Sequence, residues 1–239
     1  MDYSYFENIY KWDEWAGFTK LSDSYIGSGP ENATGQSILT ELSSILDCMD
    51  KYHQKYADLP DEEIQNKLNI KKEELVTIFK QNPYISSSPR VRLAVMGCGD
   101  KRFIRGHKII FEEVLSKKVE VTTFDITTEH LQGGERVIEH DCTLPLPDGP
   151  YTFTYAHVLL KFIPTERQWN ILENSIDVLE IGGMAIHVLD KEDYQTTGEK
   201  LPNGYFTVPI KRWSAKLQNA GIKYKEIPIR YGLALILFK

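Results

Sequence analysis

The stretch from Val91 to Thr128 constrains this chain most. An apolar run, Val91 to Met96, interrupted only by Arg92, passes through Gly97-Cys98-Gly99 into a segment of helical spacing that carries Phe103, Ile110, Val114 and Leu115. A second apolar and β-branched run, Val119 to Phe124, ends on a carboxylate, Asp125. The order is strand, glycine turn, helix, strand, acid. Two glycines straight after a strand let the backbone turn sharply and let a ligand approach the main chain, because no Cβ stands in the way. An acid at the tip of the next strand, about 20 to 30 residues on, is placed to accept hydrogen bonds from ribose hydroxyls. The pair reads as a nucleoside site at the carboxyl edge of a parallel sheet. Gly-Xaa-Gly by itself is a common turn, and the order and spacing of the helix, strand and acid after it lift it above one. The residue three after Gly99 is Arg102, so GxGxxG is not met. A dinucleotide, whose pyrophosphate must come close to the helix N-terminus, is therefore disfavoured.

GCGDKRF followed by VTTFDIT resembles the first two motifs of the class I S-adenosylmethionine-dependent methyltransferases, and the resemblance runs segment by segment from about Val91 to Lys239. It implies a Rossmann-like, seven-stranded, mostly parallel sheet with an antiparallel last strand. S-adenosylmethionine would be the cofactor, held by Gly97, Cys98, Gly99, Asp100 and Lys101 in the loop and by Asp125 with Ile126 at the second strand. VIEHDCT reads as a third strand ending at Asp141, which in this family would reach the adenine amine, with Cys142 lining the base. The bare alternative is that Asp141 only starts the turn through Pro145 and Pro147. Two departures stand out. Val95 replaces the usual acid two before the first glycine, and Lys101 replaces the usual third glycine, setting a cation beside the pocket. Lys101 is expected to point outward or toward the methionine carboxylate.

YTFTYAHVLL is the fourth strand, and Ala156-His157-Val158-Leu159 matches the family's segment there. Ala156 joins the cofactor-binding set by that resemblance. His157 is the candidate general base toward a hydroxyl or amine, against the alternative of a packed histidine. Thr152 to Tyr155 lacks the NPPY or DPPY pattern of enzymes that methylate base amines. ERQWNILENSIDVLEIGG reads as an amphipathic helix closed by Gly182-Gly183, and MAIHVLD as the fifth strand. The polar loop 191–207 offers Tyr194, Tyr205 and Phe206 as wall residues. RWSAKLQNAGIKYKEIPI is helix, stop and strand, and YGLALILFK is so apolar that it must be central or covered on both faces. A helix followed by two consecutive strands resembles the family's antiparallel end, whereas a dinucleotide domain would continue as βαβ.

Residues 1–88 are expected to form an accessory, largely helical unit and residues 89–239 the methyltransferase-like domain. Aromatics crowd residues 1–36, which implies packing on a core or a lid over the cofactor, and IGSGP reads as a linker because no strand precedes it. A helix from Ser37 to about Tyr56 carries Ile38, Leu42, Ile45 and Met49 on one face. DEEIQNKLNIKKEELVTIFKQNP reads as two short helices joined near Asn69, loosely similar to the helix-turn-helix dimerisation modules that some methyltransferases carry, which allows a homodimer. Up to residue 88 there are eight lysines and no arginine against 15 acids, with 20 basic and 19 acidic groups after it. So acidic a front half is a poor nonspecific partner for nucleic acid, which leaves room for a local basic patch but does not favour nucleic acid as a partner. The three cysteines, Cys48, Cys98 and Cys142, form no metal spacing, no metal is expected, and thiols in the cytosol are the simplest reading. No long uncharged apolar run suggests a membrane span. The function implied is methyl transfer from S-adenosylmethionine to an unidentified acceptor. The rival is a methyltransferase-like binding or scaffold protein with an altered glycine loop.

Overall fold

The structure, a computed structural model, describes residues 52–84, 90–196, 201 and 205–239, all within one compact unit, Ile45–Lys239. The aromatic segment 1–36, the IGSGP linker, most of the helix expected from Ser37, the linker at 85–89 and part of the loop 191–207 lie outside the described residues.

Residues 52–57 are helical, and α1 spans Asp61–Gln81. The two short helices expected here are one helix of 21 residues. Asn69 is a weak helix former but no breaker, and Ile64, Leu68, Lys71, Leu75 and Ile78 are buried along one stripe that runs straight through it. Neither helix-turn-helix geometry nor its turn exists in this segment. After β1 (Arg90–Met96) comes α2 (Lys101–Leu115), started by Asp100, whose side chain accepts the Arg102 N–H. An N-cap of this kind satisfies a donor that the first turn would otherwise leave open. Next come β2 (Lys118–Asp125), β3 (Val137–Glu139), β4 (Tyr151–His157), α3 (Gln168–Asp177), β5 (Leu179–Asp190), α4 (Lys191–Gln195), α5 (Ile210–Asn219), β6 (Lys223–Pro228) and β7 (Gly232–Phe238).

The seven strands form one sheet in the order β3-β2-β1-β4-β5-β7-β6. β1 to β5 run parallel, β7 pairs antiparallel with β5, and β6 pairs antiparallel with β7. β7 is flanked on both sides and buried from Leu233 to Leu237, as its unbroken apolar run requires. Two expected boundaries move. The third strand ends at Glu139, two residues before Asp141, and Gly182-Gly183 lies inside β5 instead of capping α3. α3 stops at Asp177, and the strand begins at Leu179, so the glycine pair serves an edge where Ile181 is 94% exposed.

Alternate residues of the central strands feed two cores. Val91, Leu93, Val95, Phe153, Tyr155 and Ile186 face α1 and α2, while Ala94, Met96, Phe124, Ala156 and Ala185 face α3 and α5. α1 lies close on α2 because Gly106 offers no Cβ; one built there would sit 2.4 Å from Leu68 Cδ2. Chain order reverses between β1 and β4, which opens a crevice at their carboxyl ends. Among the described residues no helix is long and apolar enough to cross a membrane.

Candidate functional site

Gly97 leaves β1 at φ +76, a conformation that disfavours any side chain, and its N–H bonds the Phe124 carbonyl at 2.8 Å. The turn brings the Cys98 N–H to the carboxylate of Asp125, Oδ2 accepting at 2.7 Å. The glycine loop and the acid of the next strand are thus in direct contact. Thr127 N–H reaches Asp125 Oδ1 at 3.3 Å. Burial raises the Asp125 pKa, and the Cys98 N–H opposes that rise.

The expected site residues divide. Gly97, Cys98 and Gly99 border a cavity of about 360 Å³ beyond the tips of β1, β4 and β5, and His157 lines it with Val158. Asp125 stands beside this loop. Asp100 is the cap of α2, with Arg102 Nε 2.9 Å from its Oδ1. Lys101 is exposed and outside the cavity wall. Ala156 is 1% exposed in the opposite core, because strand alternation turns it away while His157 turns in. Ile126 is half-buried past the end of β2. Asp141 pairs with Arg167 Nη2 at 3.2 Å, and Cys142 is buried behind it; neither lines the cavity.

Several groups at the site give no warning in the sequence. Lys71 and Glu74, one turn apart on α1, enter the cavity wall at 8% and 4% exposure. His157 Nε2 is 3.3 Å from Glu74 Oε2. Burial, then the charge of Lys71, holds the imidazole well below its ordinary pKa, so it is neutral and this contact is a hydrogen bond, not an ion pair. Burial pushes Glu74 up to about 7 against the pull of Lys71, and pushes Lys71 down to about 7 against the pull of Glu74. His107 of α2 lines the same wall, and among the described residues neither of its ring nitrogens has a partner. Lys161 bridges Asp190 at 3.2 Å and Asp193 at 3.5 Å.

Residues 52–57 lie over the glycine loop. A Cβ at Gly99 would stand 2.8 Å from Tyr52 Cε1, so only glycine admits this ring. Arg102 fastens the segment, giving Nη2 to the Tyr56 carbonyl and Nη1 to the Leu59 carbonyl, each at 2.7 Å, and Nη1 to Asp61 at 2.9 Å. His53 stacks on His130 with ring centroids 3.7 Å apart, and His130 Nε2 sits 2.7 Å from the Cys98 carbonyl. Ligand atoms of His53, Asp125 and His130 all fall within 4.8 Å of one another. A metal bound to an imidazole lies near the ring plane, and two rings only 14° from parallel cannot both point in-plane at one ion. In this arrangement the trio is a ring stack beside an acid.

No protein-family model and no curated protein matches the sequence. Solved structures match by shape. A S-adenosylmethionine-dependent methyltransferase from Clostridium acetobutylicum superposes at TM-score 0.53 with 11% identity, over 77% of this chain and 98% of that one. The DhpI–SAM–HEP complex gives 0.50 with 14% identity, over 88% and 99%. LepI in complex with SAH and a substrate analogue gives 0.48 with 14% identity, over 67% of this chain and 46% of that one; the chain thus spans about half the length of that protein. The sheet order, the antiparallel last strands and the match across nearly the whole length of the Clostridium enzyme agree: the chain has the fold of the class I S-adenosylmethionine-dependent methyltransferases.

Proposed function

We propose that this protein transfers a methyl group from S-adenosylmethionine to an acceptor whose identity is open. The observation that carries the reading is the contact of Asp125 with the Cys98 N–H at 2.7 Å, which sets a carboxylate against a glycine turn at the crevice between β1 and β4. A carboxylate offers about four lone-pair sites, so Asp125 keeps capacity for a ribose hydroxyl beyond its backbone donors at Cys98, Ile126 and Thr127. The cavity that this loop borders is also lined by a buried cation, Lys71, and by a histidine, His107, whose ring nitrogens have no partner among the described residues, a donor set that suits an adenosyl group with a charged end. The solved structures that share this fold, one of them with SAM bound, point the same way.

The cofactor, when bound, supplies a methyl group already activated by the sulfonium. The residues of this chain would align the acceptor and exclude water. Tyr52, Tyr56 and Phe103 furnish the apolar wall. His157, its Nε2 3.3 Å from Glu74 Oε2, is the candidate group to orient an acceptor hydroxyl or amine. Cys98 and Cys142 are free, buried thiols, in keeping with a reducing cytosol.

Thermal unfolding with S-adenosylhomocysteine tests the reading. A ligand that binds only the folded state adds about 2.7 kcal/mol at 100 times its Kd, so the Tm rises by several degrees. An unchanged Tm at millimolar ligand would leave a methyltransferase-like protein that binds something else.

A further inference from the structure

Of the lysines on the cavity wall, Lys71 is the buried one for which the described residues offer no ion pair. Lys161 is taken by Asp190 and Asp193, Lys67 is half-buried over the Tyr56 ring, and Lys55 is exposed. The Lys71 side chain is 8% exposed, and among the described residues no carboxylate lies within ion-pair distance of its nitrogen. Its nearest aromatic faces are Phe103 at 5.5 Å and Tyr155 at 5.8 Å. Glu74, the nearest acid on the helix, is held by His157. Val95, at the end of β1 on the same cavity wall, brings no charge. An ammonium taken out of water without a counter-ion is costly and is kept where a ligand anion completes it.

We infer that the Lys71 ammonium receives the α-carboxylate of the ligand's amino-acid end, so that α1, not the glycine loop, selects a ligand carrying that end. The inference rests on the cofactor reading above and adds the residue that recognises its charged end. Position supports it. Lys71 and the Gly97-Cys98-Gly99 turn border one cavity, and the turn is tied to Asp125, where the sugar belongs, so the opposite end of the ligand meets α1. Lys71 is buried on this wall with two rings near its ammonium, whereas Lys55 and Tyr231 on the same wall are exposed.

Titration calorimetry with two probes tests this: S-adenosylhomocysteine, and 5′-methylthioadenosine, which lacks the amino-acid end. The wild type is expected to bind the first at least ~10-fold more tightly. Lys71→Met should weaken S-adenosylhomocysteine by about 10- to 100-fold, the loss of one charge-assisted hydrogen bond, and leave methylthioadenosine unchanged. Lys71→Gln, which keeps a donor without charge, should fall between the two, and serves alone if the methionine variant does not fold. Equal affinity of S-adenosylhomocysteine for wild type and variant overturns the inference while sparing the cofactor reading, as does an equal loss for both probes. If neither probe binds the wild type, the cofactor reading falls first and the inference with it.

Discussion

A lysine buried among aromatic rings costs the folded protein, and the sign of that cost fixes a prediction. The Lys71 pKa falls from 10.5 to about 7 on folding, with burial as the larger cause. The unfolded chain therefore binds more protons between these two values, and the penalty from this group is full below pH 7 and fades as the pH rises toward 10. Its folded neighbours include Glu74 and Lys67 on α1, Cys98 after β1, Phe103 and His107 on α2, His157 and Tyr155 on β4, and Asp190 on β5. Lys71→Met, an apolar side chain of similar length, should stabilise the ligand-free protein at pH 6 to 7 by a few kcal/mol, on the order of 2 to 4. Chemical denaturation across pH checks it, and the gain over wild type should shrink toward pH 10. A residue that destabilises its own fold is legible as functional only in three dimensions. In the sequence, Lys71 and Lys72 stand side by side among acids and look like one solvated face; the structure buries the first and leaves the second 42% exposed in a bridge to Glu113.

Elements meet at the glycine loop through Arg102. Its guanidinium reaches two carbonyls of the 52–59 segment, Asp61 at the start of α1 and Asp100 at the start of α2. With a quarter of its side chain exposed, the set is screened less than a surface pair and more than a core one. Arg102→Ala should cost roughly 2 kcal/mol of stability by denaturant unfolding, because two carbonyls lose a charged donor at once. The same residue marks the reach of local sequence patterns. Arg102 breaks the dinucleotide pattern, and that exclusion agrees with a fold whose sheet ends antiparallel. What it does instead depends on contacts more than 40 residues away along the chain, which no local spacing reports. The single helix α1 is hidden in the sequence for a related reason: its mid-helix Asn69 and charged flanks resemble a joint, and only packing on Gly106 of α2 shows that its apolar stripe is continuous.

At the scale of the molecule, the parts readable in the sequence are those governed by periodicity. The apolar run of β7 demands a covered position, the glycines after β1 demand a turn, and Asp125 ends β2. Side-chain facing is readable only in part: Ala156 and His157 are neighbours in the strand, and one faces a core while the other faces the cavity. The acid expected on the adenine side, Asp141, lies two residues past its strand and pairs with Arg167, a partner from the stretch leading into α3. The proposed adenosyl ligand lies along the β1 loop, against Asp125 and beneath the 52–57 segment. Hydrogen exchange of the full chain with and without saturating S-adenosylhomocysteine tests it most directly, since a bound ligand slows local opening wherever it is contacted. Slower exchange is predicted in peptides covering 97–103, 125–131 and 64–75, with no change across β6 and β7; equal exchange at the glycine loop and at Asp125 with and without ligand would contradict it.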